Sequence, residues 1–364
     1  MKILHVSQGF YPVTGGIEKN IEDICKGMQG LGHQSSVCCL RPEGTAKDEV
    51  WNGISIHRMR SLNLRFYKIA PCVLRLVKRH DVIHVHGLGS FSDALAMAKA
   101  LRLHSKPLVL STHGGIFHTK RLSRMKKLYF NAWCRLALKF FSKVIAVSGS
   151  DRELFSGISR SVIMIPDSID YGSLSSISRK PQKDVFICVG RLSQNKRIDN
   201  LIRAFSVISK HRPDARLFII GGDWQGARKG LEALADGMGM NGKVIFTGRL
   251  GDREMMGYLA RASFFLTASE YEGFGISVLE AMAAGLPVIV NNIPSFRTFV
   301  KHGKNGFIID YSEPEKAARA ILDIMERNGM KAIPGNAMKT AKGYDYKAIA
   351  KRLEDVYLDA LRTS

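Results

Sequence analysis

Cysteine is scarce. The six in 364 residues, at positions 25, 38, 39, 72, 134 and 188, form no C-x-x-C pair and no regular spacing. That argues against a disulfide framework or a zinc site and for reduced, mostly buried thiols. No Asp-x-Asp occurs, which removes the simplest carboxylate clamp for a divalent metal on a diphosphate. No apolar run reaches the roughly 18 residues of a membrane-spanning helix. The start, Met1-Lys2-Ile3-Leu4-His5-Val6-Ser7, lacks the apolar stretch and cleavage site of a secretory leader. Repeats and low-complexity tracts are also missing. With 45% hydrophobic and 24% charged residues, the chain is neither disordered nor fibrous. Its length exceeds one comfortable core and points to two domains.

Acidic side chains are missing from one region in particular. Residues 51–150 hold 18 Lys and Arg against only Asp81 and Asp93, a large part of the net charge of +22. Such a surface attracts polyanions. No nucleic-acid-binding motif accompanies it. An anionic membrane surface is therefore the expected partner, and nucleic acid is not.

What is present is alternation. Short β-branched runs fall at 3–7, 36–40, 82–86, 108–111, 144–148 and 163–166. A second set falls at 185–189, 216–220, 244–247, 264–267, 287–290 and 306–308. Amphipathic helical stretches lie between them, such as 17–31, with Ile17, Ile21, Ile24, Met28 and Leu31 on one face. Further helices are read at 199–209, 254–260 and 276–284. The pattern predicts two doubly wound α/β domains with parallel sheets, 1–170 and 171–343, whose strand ends could face each other across a cleft. Residues 170–183, rich in Ser and cations and without periodicity, read as the join. The tail 344–364 reads as one amphipathic helix able to pack on either domain.

In such sheets, ligands sit beyond the carboxyl ends of the strands. Thr14-Gly15-Gly16 follows the first strand and would let a backbone approach a ligand at a helix start, or is a plain tight turn. Gly190-Arg191-Leu192-Ser193-Gln194-Asn195-Lys196 follows another strand. Its Arg191 and Lys196 suit a diphosphate, or are two solvated cations. The most specific stretch runs from Glu272 through Gly273, Phe274, Gly275 and Ile276 to Glu280. Phosphates would meet the Gly273–Ile276 amides at the helix start, and the two carboxylates could flank the ligand and accept from sugar hydroxyls. His84, His86 and His113 end two strands and could bond substrate or be structural. Residues 120–143 read as one amphipathic helix. Its apolar face is Leu122, Met125, Leu128, Tyr129, Ala132, Trp133, Leu136 and Phe140. Lys120, Arg121, Arg124, Lys127, Arg135, Lys139 and Lys143 surround it, and residues 58–79 are similar. This suits a membrane interface, or covers a core with a solvated face outward.

These residues resemble the retaining, nucleotide-sugar-dependent glycosyltransferases of family 4, which have the GT-B fold. The resemblance extends from Lys2-Ile3-Leu4-His5-Val6 and Gly15-Gly16-Ile17-Glu18 through Asp81–Gly87, Thr112-His113, Ile165-Pro166, Gly190-Arg191-Leu192 and Asn195-Lys196-Arg197 to the E-x7-E motif of Glu272 and Glu280. It implies that Arg191 and Lys196 bind the donor diphosphate as leaving group. By the same resemblance Glu280 holds the ribose, Glu272 contacts the donor sugar, and Gly16 approaches the diphosphate. His113 would reach the transferred sugar, and Arg249 and Leu250 would lie near the base. The tail helix would cross back to the first domain. Ser295, where a Glu is common, and Gly221-Gly222-Asp223-Trp224, a variant of a Gly-Asp-Gly turn, depart from the family pattern. The resulting expectation is a metal-independent hexosyltransferase without a cofactor, acting on a lipid-linked or glycan acceptor. It would be cytoplasmic and peripheral on the inner face of the membrane. A sugar-nucleotide epimerase or sugar phosphorylase on the same fold, and a non-catalytic basic binding module, are the rival readings.

Overall fold

The computed structural model describes residues 1–64, 67–69, 73–114, 123–224, 226–327 and 330–363, without the side chains of 62–64, 67–69 and 123. The chain divides into two units, Met1–Ser168 with Tyr346–Ser364, and Ile169–Asp345.

The first unit is built on strands β1 (Lys2–Val6), β2 (Gln34–Leu40), β3 (Asp48–Trp51) and β4 (Ile54–Met59), with β5 (Leu62–Leu64) and β6 (Tyr67–Ile69) as a separate antiparallel ribbon. It continues with β7 (Val82–His86), β8 (Leu108–Ser111), β9 (Lys143–Ala146) and β10 (Val162–Met164). The sheet order is β10-β9-β8-β7-β1-β2-β4-β3, parallel except for β3 against β4. Both faces are covered, so side chains alternate between two cores. Leu4, Val6, Ile83, Val85, Leu108 and Leu110 meet Phe91, Leu95, Phe130 and Phe155 on one side. Ile3, Val82, Val109 and Ile145 meet Ile24, Met28, Ile349, Leu353 and Tyr357 on the other.

That second core contains the tail. The helix Tyr346–Arg362 lies against the helix Gly16–Gly30, and the approach needs Gly27: a Cβ there would come within 2.5 Å of the Ala350 Cβ. Polar contacts hold the tail elsewhere. Tyr357 Oη lies 2.6 Å from His84 Nδ1, His33 Nε2 lies 2.6 Å from Glu354 Oε1, and Lys143 pairs with Asp359 at 2.7 Å.

The second unit holds β11 (Val185–Val189), β12 (Arg216–Ile220), β13 (Val244–Gly248), β14 (Phe264–Thr267), β15 (Val288–Asn291) and β16 (Phe307–Ile309). All are parallel, in the order β13-β12-β11-β14-β15-β16. The order reverses between β11 and β14, the position where such sheets take ligands. Residues 170–183 are irregular after a short helix and a turn, with 177–182 without regular structure. They belong to this unit, where Asp170 caps the helix Tyr171–Ser175 by accepting from the Ser173 amide at 3.0 Å. Arg179 donates to the carbonyls of Gly285 and Ala262. This cation thus satisfies carbonyls at the C-terminal ends of two helices inside the unit.

The stretch 120–143 also differs from its expected form. Lys120, Arg121 and Leu122 lie outside the described residues. Ser123–Leu128 is α-helical, Tyr129–Cys134 is a π-helix, Arg135–Ala137 resumes the α-helix, Leu138–Phe140 tightens to 3₁₀, and Lys143 already opens β9. A π turn takes in an extra residue and rotates the next turns of helix about the axis. The side chains that enter the core are therefore Phe130, Cys134, Ala137, Leu138 and Phe141, with Phe130 edge-on to Phe155. Of the side chains read as one apolar face for a membrane or a core, Met125, Leu128 and Leu136 are 65%, 71% and 53% exposed.

The five described cysteines are free and buried. Among the described residues, no helix is long and apolar enough to cross a membrane. Because Tyr357 is fully buried between the tail and the sheet, Tyr357→Ala is expected to cost about 3–5 kcal/mol. Tyr357→Phe, which removes only the contact with His84, should cost about 1 kcal/mol. Urea unfolding followed by circular dichroism checks both.

Candidate active site

At the β11/β14 reversal, three loops converge. The one after β11 leaves Gly190 and runs Arg191 to Lys196, ending in a short 3₁₀ turn, Gln194–Lys196. The one after β12 is held alongside it by main chain, with Gly190 N donating to Ile220 O at 2.9 Å and Leu192 N to Gly222 O at 3.0 Å. This approach tolerates no side chain at Gly221, whose Cβ would sit 1.9 Å from Gly190 O. The third loop, after β14, is stitched to the first: Glu270 N donates to Asn195 O at 2.9 Å, and Asn195 Nδ2 to Tyr271 O at 3.0 Å.

Those links bring Lys196 onto Glu272. Nζ lies 2.5 Å from Oε1, which also accepts from Ser269 Oγ at 2.8 Å. Both side chains are mostly sheltered, so the pair is less screened than a surface one. Glu272 leads into Gly273, Phe274 and Gly275. Gly275 caps the helix Ile276–Ala283 at φ +111°, and a Cβ there would strike Phe296 Cε1 at 2.7 Å. Phe274 is buried against Phe299 and Tyr344, which fixes the turn from below. Glu280 is half-buried on this helix, on the face shared with Ile276 by the four-residue period. The result is a cation, a carboxylate and a helix start at the carboxyl ends of two central strands, suited to an anion that carries hydroxyl groups.

Arg191 is exposed and differs from Lys196. Among the described residues it makes no ion pair; its guanidinium lies over the indole of Trp224, 4.7 Å from the ring centroid. Arg249 crosses Gly222, where a Cβ would meet its Nε at 2.5 Å, and Leu250 follows half-buried. Trp224 was visible in the sequence only as the odd residue of a Gly-rich turn. Its pairing with Arg191 depends on the β11–β12 neighbourhood, which no local pattern encodes.

In the first unit, Gly15 caps the helix Gly16–Gly30 in extended conformation, and the Glu18 carboxylate lies across the loop. A Cβ on Gly15 or Gly9 would meet that carboxylate at 2.6 or 2.8 Å. His113 follows β8 at φ +47°, rare for a side-chain-bearing residue. Its side chain is 3% exposed, with Nδ1 3.1 Å from Asp167 Oδ1 and Nε2 3.0 Å from His86 Nδ1. His86 Nε2 in turn meets His5 Nδ1 at 3.1 Å, and Asn20 Nδ2 donates to Asp167 Oδ1 at 2.9 Å. Two buried ring nitrogens of this chain, His5 Nε2 and His113 Nδ1, have no hydrogen-bond partner of good geometry, so Asp167 acts on His113 chiefly as a nearby charge. Both ring nitrogens of His113 are therefore turned inward. The sequence marked His113 for the sugar; the structure ties it to Asp167, a residue the sequence reading did not single out.

Of the cations marked for a membrane, Arg124, Lys127 and Arg135 are exposed, as is Lys139. They alternate with the exposed Met125, Leu128 and Leu136, and Trp133 is half-buried beside them.

Residues 174–341 match the family model "Glycosyl transferases group 1", and residues 14–171 match "Glycosyltransferase Family 4". A GDP-mannose:cellobiosyl-diphosphopolyprenol alpha-mannosyltransferase of Xanthomonas oryzae pv. oryzae is 30% identical over 99% of this chain and 97% of its own length. The alpha-monoglucosyldiacylglycerol synthase of Acholeplasma laidlawii is 27% identical over 99% and 98%. Among solved structures, the sucrose-phosphate synthase of Thermosynechococcus elongatus superposes with a TM-score of 0.80 at 16% identity, covering 100% of both chains.

The buried histidines make stability pH-dependent. Burial, then the repulsion of neighbouring histidines, pushes His5 down to about 3 and His84 and His86 well below the ordinary range. For His113 burial acts the same way, but the Asp167 carboxylate overcomes it and the net shift is upward. An unfolded chain takes up protons near pH 6.5 that the three depressed histidines refuse when folded. Their contribution is complete above that pH and is lost below it, by about 1.4 kcal/mol per pH unit for each proton. His113 has the opposite sign: its contribution is present below about 6.5 and fades as pH rises through its raised value. The net expectation is a melting temperature that falls between about pH 7 and pH 5; a flat profile contradicts the burial of His5, His84 and His86 as neutral rings.

Proposed function

The chain belongs to the family 4 glycosyltransferases and has their GT-B fold, and from that premise we propose that it moves a hexose from a nucleoside-diphosphate sugar to a lipid-linked saccharide at a membrane surface, with retention and without a metal ion. The observation that carries this reading is the meeting of Lys196 and Glu272 beside Arg191 at the start of the helix Ile276–Ala283. The second unit takes the donor and the first the acceptor.

The work asked of the site is electrostatic. Breaking the anomeric C–O bond leaves negative charge on the β-phosphate and positive charge on the sugar. Arg191, Lys196 and the amides at the helix start meet the first. Glu272 turns from Lys196 to the sugar hydroxyls as phosphate replaces it on the ammonium, and Glu280 accepts from the ribose. The acceptor hydroxyl attacks from the face the diphosphate leaves and passes its proton to a phosphate oxygen, so the anomeric configuration is kept. The sheltered position of His113 suits fixing the turn after β8 within the first unit. The full-length similarity to the Xanthomonas and Acholeplasma enzymes makes GDP-mannose and a polyprenyl-diphosphate saccharide the first pair to assay, with a nucleotide-activated glucose and diacylglycerol as the second.

The exposed run Arg124, Met125, Lys127, Leu128, Arg135, Leu136 and Lys139 supports the membrane part of the reading, because cations and apolar side chains share one outward face.

Lys196→Ala, Arg191→Ala and Glu280→Ala are each expected to lower transfer by on the order of 100-fold, with melting temperatures near wild type. Wild-type turnover in all three rejects the site, and hydrolysis or epimerisation of the donor without an acceptor favours the rival chemistries. In a vesicle co-sedimentation assay, binding to phosphatidylglycerol vesicles should exceed binding to phosphatidylcholine vesicles, fall with salt, and drop in Leu128→Asp and Leu136→Asp. Equal recovery with both vesicle types rejects membrane attachment.

A further inference from the structure

Two cations at the candidate diphosphate site are held in different ways. Lys196 is neutralised by Glu272 at 2.5 Å. Arg191 has no carboxylate partner among the described residues and lies on the face of Trp224. A guanidinium on an exposed loop otherwise samples many rotamers, with side-chain entropy of roughly 2 kcal/mol to lose on binding. An aromatic face orders it while leaving its charge and its N–H fork unused. The indole is itself well placed to do this. Leu192 bridges Asp223 in sheet-like pairing, Asp223 Oδ1 accepts from the Arg228 amide at 3.1 Å, and Ala227 N donates to Trp224 O at 3.4 Å. Asp223 and the Trp224 carbonyl are thus tied to the β11 loop and to the start of the helix Ala227–Gly237, while Trp224 stays 44% exposed.

We infer that Trp224 is a positioning residue for the donor diphosphate, acting through Arg191 by holding the guanidinium flat on its ring. The inference rests on the donor reading above. It assigns no contact between Trp224 and the sugar or the base. It also accounts for an exposed tryptophan on a loop that otherwise uses glycine.

The test is a double-mutant cycle in nucleoside-diphosphate affinity, measured calorimetrically on the full chain with GDP and UDP, and with GMP and UMP as controls lacking the β-phosphate. Trp224→Leu should weaken diphosphate binding roughly 10-fold and leave the weak monophosphate binding within about 2-fold. Trp224→Phe, which keeps an aromatic face, should recover most of the loss. In an Arg191→Ala background, Trp224→Leu should cost almost nothing further, because the partner it positions is gone. An equal loss with and without Arg191, or equal losses for Leu and Phe, overturns the inference. So does a Trp224→Leu protein that binds diphosphate as wild type does. If wild type binds neither diphosphate, the donor reading fails and takes this inference with it. The melting temperature of each variant separates a loss of binding from a loss of fold.

Discussion

The close approach of two backbones at Gly190 and Gly221 is the constraint on which the rest of the second unit's site depends. With 1.9 Å between a Cβ at Gly221 and the Gly190 carbonyl, the loops after β11 and β12 can touch only with glycine at 221. Because they touch, Trp224 reaches Arg191 and Arg249 crosses Gly222. On the other side of β11, Asn195 does by side-chain and main-chain bonds what the glycines do by absence, drawing in the loop that carries Glu272. The charges follow from these contacts. Neither Arg191 nor Lys196 is near its partner in sequence.

How much of this was legible beforehand differs by link. The parallel strands were readable because burial on both faces makes them continuous apolar runs: Val82–His86, Val185–Val189 and Arg216–Ile220 are short β-branched words between polar stretches. The antiparallel edge pair β3–β4 was not readable, because β3 is largely exposed and begins with Asp48 and Glu49. The Glu272–Glu280 stretch was legible as a strand-turn-helix, since glycines and helix period are local. The Arg191–Trp224 stack and the Asp167–His113–His86–His5 chain were not, since they depend on which strands are neighbours.

The segment after residue 122 shows how a local rule can fail while its composition is read correctly. Basic and apolar residues do share a surface there. Periodicity at 3.6 residues put Leu128, Trp133, Leu136 and Phe140 on one face, and the π turn at Tyr129–Cys134 breaks that register: Leu128 and Leu136 are exposed while Phe130, Ala137 and Leu138 are buried.

The tail has a consequence for biosynthesis. The helix Tyr346–Arg362 supplies Ile349, Leu353 and Tyr357 to the core of the first unit, yet a ribosome makes it only after the whole of Ile169–Asp345 has emerged. Domains that form in order from the N-terminus can normally finish one before the next appears. Here the first unit must wait, with one sheet face only partly covered, by the helix Gly16–Gly30, through roughly half of translation, and a nascent chain stalled short of Tyr346 exposes the rest of that face to chaperones.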